Sequence, residues 1–260
     1  MTADDATESG AMASNDPTTT VGAADSSDPA ASRDSAASGA ADSRISATRG
    51  AAASGPILTV ERLRVKRGGR LVIDGVELTA AAGEIVGVVG KNGCGKSTLL
   101  MTVAGVLAPH DGRVLVDGAS VWGVQRDRVR ARKALGFVPE GADPPGFLLA
   151  GELWAMCAAS RAVEAPSVEL VQRLGLDELR DLALDRMSLG QRRRACLGAA
   201  LLGPPRLLVL DEPDNGLDAR RLDALGAILR EHAAAGRATI LATHDAALLD
   251  QLGARVVALG

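Results

Sequence analysis

The stretch Gly90-Lys91-Asn92-Gly93-Cys94-Gly95-Lys96-Ser97-Thr98 constrains this chain more than any other, because it fills every fixed position of the phosphate loop G-x-x-x-x-G-K-[ST]. Such a loop belongs between a strand and a helix, and the flanks supply both. Glu84-Ile85-Val86-Gly87-Val88-Val89 is a short apolar run rich in β-branched residues, and Thr98-Leu99-Leu100-Met101-Thr102-Val103 reads as a helix start. Glycines let the backbone fold around an anion, successive N–H groups point at the phosphates, and the helix N-terminus adds its positive dipole end. In that arrangement Lys96 reaches the β and γ phosphates and the Ser97 hydroxyl faces Mg²⁺. Gly90, Asn92, Gly93, Cys94, Gly95, Lys96, Ser97 and Thr98 are therefore candidate ATP-binding residues.

An apolar run ending in acid, Leu207-Leu208-Val209-Leu210-Asp211-Glu212, has the character of a magnesium-nucleotide enzyme's second strand, expected beside the phosphate-loop strand. Asp211 would hold Mg²⁺ directly or through water. Side chains alternate along a strand, so Glu212 is expected to point differently and to orient and deprotonate an attacking water. Downstream, helix and strand alternate: a helix around Arg221 to His232, then Ala238 to Ala242 as a strand, a short helix, and Arg255 to Leu259 as a strand. That alternation argues for a mostly parallel sheet covered on both faces.

Upstream of the loop, residues 57–65 and 71–78 read as strands joined across Gly68-Gly69, and residues 113–118 as another, which together suit a small antiparallel sheet. Between the two halves of the site lies a helical insert, about 141–187. It opens with a Pro/Gly loop, followed by helix-like segments at Glu152 to Arg161, Val168 to Leu174 and Glu178 to Leu184. Trp154 and Met156 read as packing residues there. Residues 126–133 form a basic helix candidate, but no aromatics interleave its charges, so it reads as a solvated face and no nucleic-acid partner is expected.

Residues 1–55 are an Ala/Ser/Asp-rich tail with almost no large apolar side chain, too poor in burial to offset chain entropy, and are expected to be disordered. The tail holds 8 of the 32 acidic and 3 of the 29 basic residues, so it accounts for the net charge of −3 and the remainder is near neutral. Aromatics make up 2% of the chain, which leaves an aliphatic core for residues 56–260. The three cysteines are widely spaced, which suggests neither a disulfide framework nor a zinc site. No apolar run approaches the roughly 20 residues of a bilayer span, and the N-terminus lacks the charged start and apolar core of a signal peptide. Work at a membrane would then need another chain to span it.

Met187-Ser188-Leu189-Gly190-Gln191, shortly before the acidic strand, resembles the L-S-G-G-Q signature of ATP-binding cassette (ABC) ATPases. Asp211-Glu212-Pro213-Asp214-Asn215-Gly216-Leu217-Asp218 is similar to the family's acidic strand running into its D-loop, and His244 in Ala242-Thr243-His244-Asp245 matches its switch histidine. These motifs occur in the family's order over about residues 57–260. The resemblance implies an α/β P-loop NTPase with a mostly parallel central sheet, a small antiparallel β subdomain and a helical insert. It also implies a head-to-tail homodimer or heterodimer in which Ser188, Gly190 and Gln191 of one domain close on ATP held by the other. Asp218 would communicate across that dimer, Glu140 would meet Mg²⁺ at the family's glutamine position, and Glu212, His244 and Lys96 would be the catalytic set.

Four positions depart from the family's pattern. Glu140 stands for glutamine, Arg67 falls near the adenine-stacking aromatic, Leu189 replaces the first signature glycine, and Cys94 stands where Ala or Ser is frequent. The reading favoured is the ATPase subunit of an ABC transporter, cytoplasmic and peripheral on the inner membrane face, with a multi-span permease as partner. Its motif details resemble antibiotic-, sodium- and haem-export subunits, hence a lean toward export. The alternative is a soluble ABC-type ATPase of cofactor assembly or another non-transport process.

Overall fold

The computed structural model describes residues 55–141 and 144–260; the tail expected at 1–55 lies, but for Gly55, outside the described residues. Strands β1 (Leu58–Arg67) and β2 (Arg70–Ala80) pair antiparallel, with Arg67 opposite Arg70. The two-residue turn between them, Gly68-Gly69, has φ of 55° and 79°, the double positive φ that a tight hairpin needs and that glycine adopts without strain. With β4 (Asp111–Val116) and the short β5 (Ala119–Ser120) these strands form a four-stranded sheet in the order β2-β1-β4-β5.

The second sheet has five strands: β3 (Ile85–Val89), β6 (Leu135–Val138), β7 (Leu207–Asp211), β8 (Ala238–Ala242) and β9 (Arg255–Ala258), all pairing parallel in the order β6-β7-β8-β3-β9. The acidic strand β7 is thus not the neighbour of β3, as the sequence suggested. β8 lies between them and carries Thr243 and His244 at its end. Along β7, Leu207 and Val209 pack on one face of the sheet and Leu208 and Leu210 on the other, each at most 1% exposed. Both faces are covered, so the strand reads as an unbroken apolar run. Each such aliphatic side chain contributes about 1.5–3 kcal/mol of burial.

On the first face, the antiparallel sheet and α1 (Lys96–Val103) complete an aliphatic core that includes Ile57, Leu63, Leu99, Leu100 and Val114. On the second face pack α3 (Ala150–Arg161), α4 (Val168–Leu174), α5 (Leu189–Ala200), α6 (Ala219–Ala234) and α7 (Ala246–Leu252). In α6 the buried residues Leu225, Ile228, Leu229 and His232 recur at three- and four-residue steps, the stripe of a helix lying on a core. Side-chain caps start four of these helices: Ser167, Ser188, Asp218 and Asp245 accept from Leu170, Gln191, Arg221 and Leu248 N–H. The basic helix α2 (Gln125–Lys133) buries only Ala131, in keeping with a solvated face.

Two expectations in the insert are corrected. Glu178 to Leu184 is not a helix: 3-10 turns at Asp177–Leu179 and Leu184–Arg186 flank a stretch whose carbonyls are taken elsewhere. Ala150 and Gly151 N–H donate to the Leu182 and Arg180 carbonyls, and Leu184 N–H donates to the Leu148 carbonyl. Satisfying the start of α3 in this way draws the segment out of helical geometry. Trp154 packs as expected, 4% exposed with its indole N–H on the Ala195 carbonyl, whereas Met156, two residues on, faces outward at 59% exposure.

Candidate nucleotide site

β3 ends at the phosphate loop, and the loop turns into α1 through Gly95, which has φ of 109°. A Cβ at Gly95 would lie 2.8 Å from Ile73 Cδ1. At Gly90 a Cβ would lie 2.4 Å from the Leu259 carbonyl oxygen, a main-chain atom that has no room to yield. Glycine is thus required at the loop's entrance by packing against the last residues of the described chain, and at its exit by backbone conformation as well. Lys96, 8% exposed, donates from Nζ to the Gly90 carbonyl at 3.0 Å, so its ammonium is folded back over the loop.

A cleft of about 580 Å³ opens over this loop. Its lining brings together Asn92, Gly93, Gly95, Lys96, Ser97, Thr98, Glu140, Glu212 and His244 from the residues expected by sequence, with Arg67 and Val72 of the antiparallel sheet and Asn215. Cys94 is not among them; its sulfur is turned toward Gly90 and its Cβ side faces Gly260. Asp211 lies beneath the cleft, 2% exposed, and hydrogen-bonds Ser97. Burial raises the Asp211 carboxyl above the usual carboxylate range against the opposing Ser97 hydrogen bond. Its Oδ1 is buried without a hydrogen-bond partner.

Glu212 follows β7 but does not continue it. Its φ is 48°, a left-handed conformation uncommon outside glycine, and its N–H donates to the Ala242 carbonyl. The strand alternation invoked from sequence is therefore not what aims Glu212; a backbone kink does. Strain of this sort persists where the surroundings enforce it, and here β8 supplies the anchor. Glu212 Oε1 lies 3.3 Å from His244 Nε2, and the His244 backbone also hydrogen-bonds the carboxylate. Burial nonetheless holds the Glu212 pKa above its ordinary value, with His244 opposing and Asp214 adding to the rise.

Ser188, Gly190, Gln191 and Asp218 are not part of this cleft. Ser188 and Gln191 close a reciprocal cap at the start of α5, Ser188 Oγ accepting from Gln191 N–H and Gln191 Oε1 accepting from Ser188 N–H. Leu189, 50% exposed, projects from the first turn. Gly190 abuts Gly216 so closely that a Cβ there would lie 2.1 Å from the Gly216 carbonyl oxygen. The signature turn is thus packed on the segment leading to Asp218, whose Asn215 borders the cleft while Ser188, Gly190 and Gln191 do not.

A family profile described as ABC transporter matches residues 73–215, which span the loop, the signature and the acidic pair. The chain belongs to the ABC transporter ATP-binding family. It is 37% identical to the cytochrome c biogenesis ATP-binding export protein CcmA of Gluconobacter oxydans, over 75% of this chain and 85% of that one. It is 34% identical to the cobalt import ATP-binding protein CbiO of Rhodobacter capsulatus, over 77% of this chain and 74% of that one. A dimeric ATP-binding cassette solved in a post-hydrolysis state with ADP and phosphate superposes with a TM-score of 0.69 and 22% identity, covering 78% of this chain and 94% of its own, and so shares the fold. This ABC ATPase binds and hydrolyses ATP, and the cleft over the phosphate loop is where its chemistry is to be sought.

Three features of the ABC ATPase were missed from sequence. Asn215 lines the cleft. Thr243, 2% exposed, donates to Asp214 Oδ1 at 2.7 Å and accepts from Asp245 N–H at 3.0 Å, which ties the loop carrying Glu212 to the loop carrying His244. Arg193, 1% exposed, reaches the carbonyls of Pro139, Glu140 and Asp211. Its place two positions after Gln191, in a helix whose residues from Ala195 on are apolar, is the signal in the sequence that could have found it.

Among the described residues no three His, Cys, Asp or Glu side chains form a closed metal cluster. Asp211, with one carboxylate oxygen unpartnered, is hydrogen-bonded by Ser97 and within electrostatic reach of Glu140, an all-oxygen set that suits a hard divalent cation arriving with phosphates rather than one caged by protein alone.

Proposed function

We propose that this chain is the ATP-hydrolysing subunit of an ABC transporter, driving a substrate through a separate multi-span membrane permease by ATP-dependent closure of a nucleotide-domain dimer. The observation that carries the reading is the coexistence of a cleft holding Lys96, Ser97, Glu212 and His244 with a second helix N-terminus, Ser188 to Gln191, set apart from it. The start of a helix carries the positive end of its dipole, a place that an anion favours. On one domain it has no phosphate to meet; across a head-to-tail dimer it meets the other domain's ATP.

In the cleft, the phosphate-loop N–H groups and Lys96 hold the β and γ phosphates, and Arg67 offers its guanidinium plane to the base beside Val72. Ser97, Asp211 and Glu140 would hold Mg²⁺, which when bound neutralises charge on the phosphate oxygens. Glu212 accepts the proton of the attacking water, and its raised pKa brings it nearer the working pH of a general base. His244, hydrogen-bonded to Glu212 and open to the cleft, holds that carboxylate in place and contacts the γ phosphate. ATP on both domains favours the closed dimer and hydrolysis favours the open one, a shift of a two-state population.

None of the described helices is long and apolar enough to cross a membrane, which is in keeping with a spanning partner on another chain. Relatives named for export and for import are matched alike, and export is favoured by the motif details alone. Location is then the inner membrane face, with residues 56–260 the ATPase domain. Affinity purification of the tagged chain from detergent-solubilised native membranes tests the proposal. A stoichiometric multi-span protein is expected; soluble partners alone, with the chain absent from membranes, would overturn it in favour of a non-transport ATPase.

A further inference from the structure

α5 begins at the Ser188–Gln191 cap and turns Arg193 inward to the ends of two strands of the parallel sheet. Arg193 Nη1 donates to the Pro139 carbonyl at 3.2 Å and the Asp211 carbonyl at 3.1 Å, and Nη2 donates to the Glu140 carbonyl at 2.6 Å. Pro139 and Glu140 follow β6, and Asp211 closes β7, so one guanidinium clasps the main chain behind both carboxylates of the metal side. Burying a cation is costly, and here Nε has no partner, so the three carbonyl bonds and the nearby charges of Asp214, Asp211 and Glu140 are what offset the cost. A guanidinium supplies the geometry for those bonds: a planar fork spans two strand ends, which a lysine's point charge cannot do.

The next residue faces the other way. Arg194 donates to the Leu174 and Gly175 carbonyls at the end of α4 and pairs with Glu178 at 2.9 Å. α5 is therefore tied on one side to the strand ends of the cleft and on the other to the insert. We propose that Arg193 is a positioning residue that couples the placement of the signature helix to the seats of Asp211 and Glu140, so that metal binding in the cleft and the position of α5 are linked. The inference rests on the reading of Ser97, Asp211 and Glu140 as the Mg²⁺ side of the site. By linkage it acts in both directions: what orders the metal side also orders α5.

Arg193→Lys isolates geometry, because it keeps the charge and removes the fork; Arg193→Gln also removes a cation that itself repels Mg²⁺. The full chain is titrated with ATP in the presence of EDTA, and then with Mg²⁺ at fixed ATP. For Arg193→Lys, metal-free ATP affinity is expected to stay within about twofold of the unmodified chain while the half-saturating Mg²⁺ concentration rises about tenfold or more, the scale seen for groups that orient metal ligands. Arg193→Gln is expected to show a smaller rise, since lost repulsion offsets lost positioning. A merely structural Arg193 would lower the melting temperature and leave the Mg²⁺ half-saturation unchanged, and that outcome overturns the inference.

A second measurement needs no variant. Mg²⁺ added to the ADP-bound unmodified chain, at a concentration where sedimentation shows a monomer, is expected to slow hydrogen exchange in residues 189–196. Unchanged exchange there overturns the coupling while leaving the nucleotide site standing. If the unmodified chain shows no Mg²⁺ response at all, the metal-side reading itself fails, and the inference with it.

Discussion

His244 Nε2 stands 3.3 Å from Glu212 Oε1, yet the two side chains differ sharply in surroundings: 57% of the histidine is exposed and 7% of the glutamate. The imidazole caps a buried carboxylate from the solvent side. Both residues sit where a strand stops, Glu212 after β7 and His244 after β8, and the Thr243–Asp214 hydrogen bond pins the two loops together. A buried carboxylate whose imidazole partner is exposed suits the proton transfer proposed for Glu212.

Replacing Glu212 with Gln is expected to preserve ATP binding and to lower turnover by about 10²- to 10⁴-fold, the usual worth of a positioned general base. Steady-state hydrolysis alongside nucleotide titration checks this. Near-normal turnover would remove Glu212 from that role.

The same substitution carries a stability signature. Burial raises the folded-state pKa of Glu212 above its ordinary value of 4.5, so its contribution to stability is full below that value and is lost as pH rises through the elevated one. The amide that replaces the carboxyl does not titrate. In nucleotide-free protein the Glu212→Gln variant should therefore melt above the unmodified chain at neutral pH, with the gap closing toward pH 4. A gap independent of pH would contradict the burial argument.

His232 predicts the opposite limb. It is 5% exposed, hydrogen-bonds the Ala238 backbone, and burial lowers its pKa from 6.5 to about 4. A depressed histidine adds stability that is present above the unfolded value and lost as pH falls through the folded one. Melting temperature should drop between pH 6.5 and 4 in part for this reason. His232→Asn, which retains a donor and does not titrate there, should flatten that portion of the curve.

Lys96→Ala should weaken ATP binding by about tenfold or more, because it removes the charge-assisted donor facing the phosphates. Equilibrium titration with a fluorescent ATP analogue reads the loss directly; unchanged affinity would count against the site.

Gly190→Ala tests the signature turn. Its new Cβ would meet the Gly216 carbonyl at 2.1 Å, a main-chain contact that only backbone movement relieves. A loss of about 1–3 kcal/mol is expected, typical of overpacking, read by denaturant unfolding. Nucleotide-dependent dimer formation, read by light scattering, should fall with it while ATP binding persists, because Lys96 and the phosphate loop are untouched.

The linear sequence determined the local chemistry. The phosphate loop, the apolar run into Asp211-Glu212, and the Gly68-Gly69 hairpin were legible because each is set by neighbours within about ten residues, through glycine conformation, side-chain period and turn chemistry. The caps at Ser188 and Asp218 and the alternating strands and helices obey the same short-range rules. Tertiary structure decided the rest. Strand order is a long-range choice, so β8 came to lie between β7 and β3 although both ends of the site looked adjacent. The segment after Glu178 looked helical until the start of α3 claimed its carbonyls. Glu212 was named from sequence, but its aim comes from a left-handed kink anchored on β8, and Arg193 acquired a role only because folding set one helix face against two strand ends. Residue identity supplies donors, acceptors and charges; which of them meet across the sheet depends on packing between segments dozens of residues apart, and no local rule encodes that.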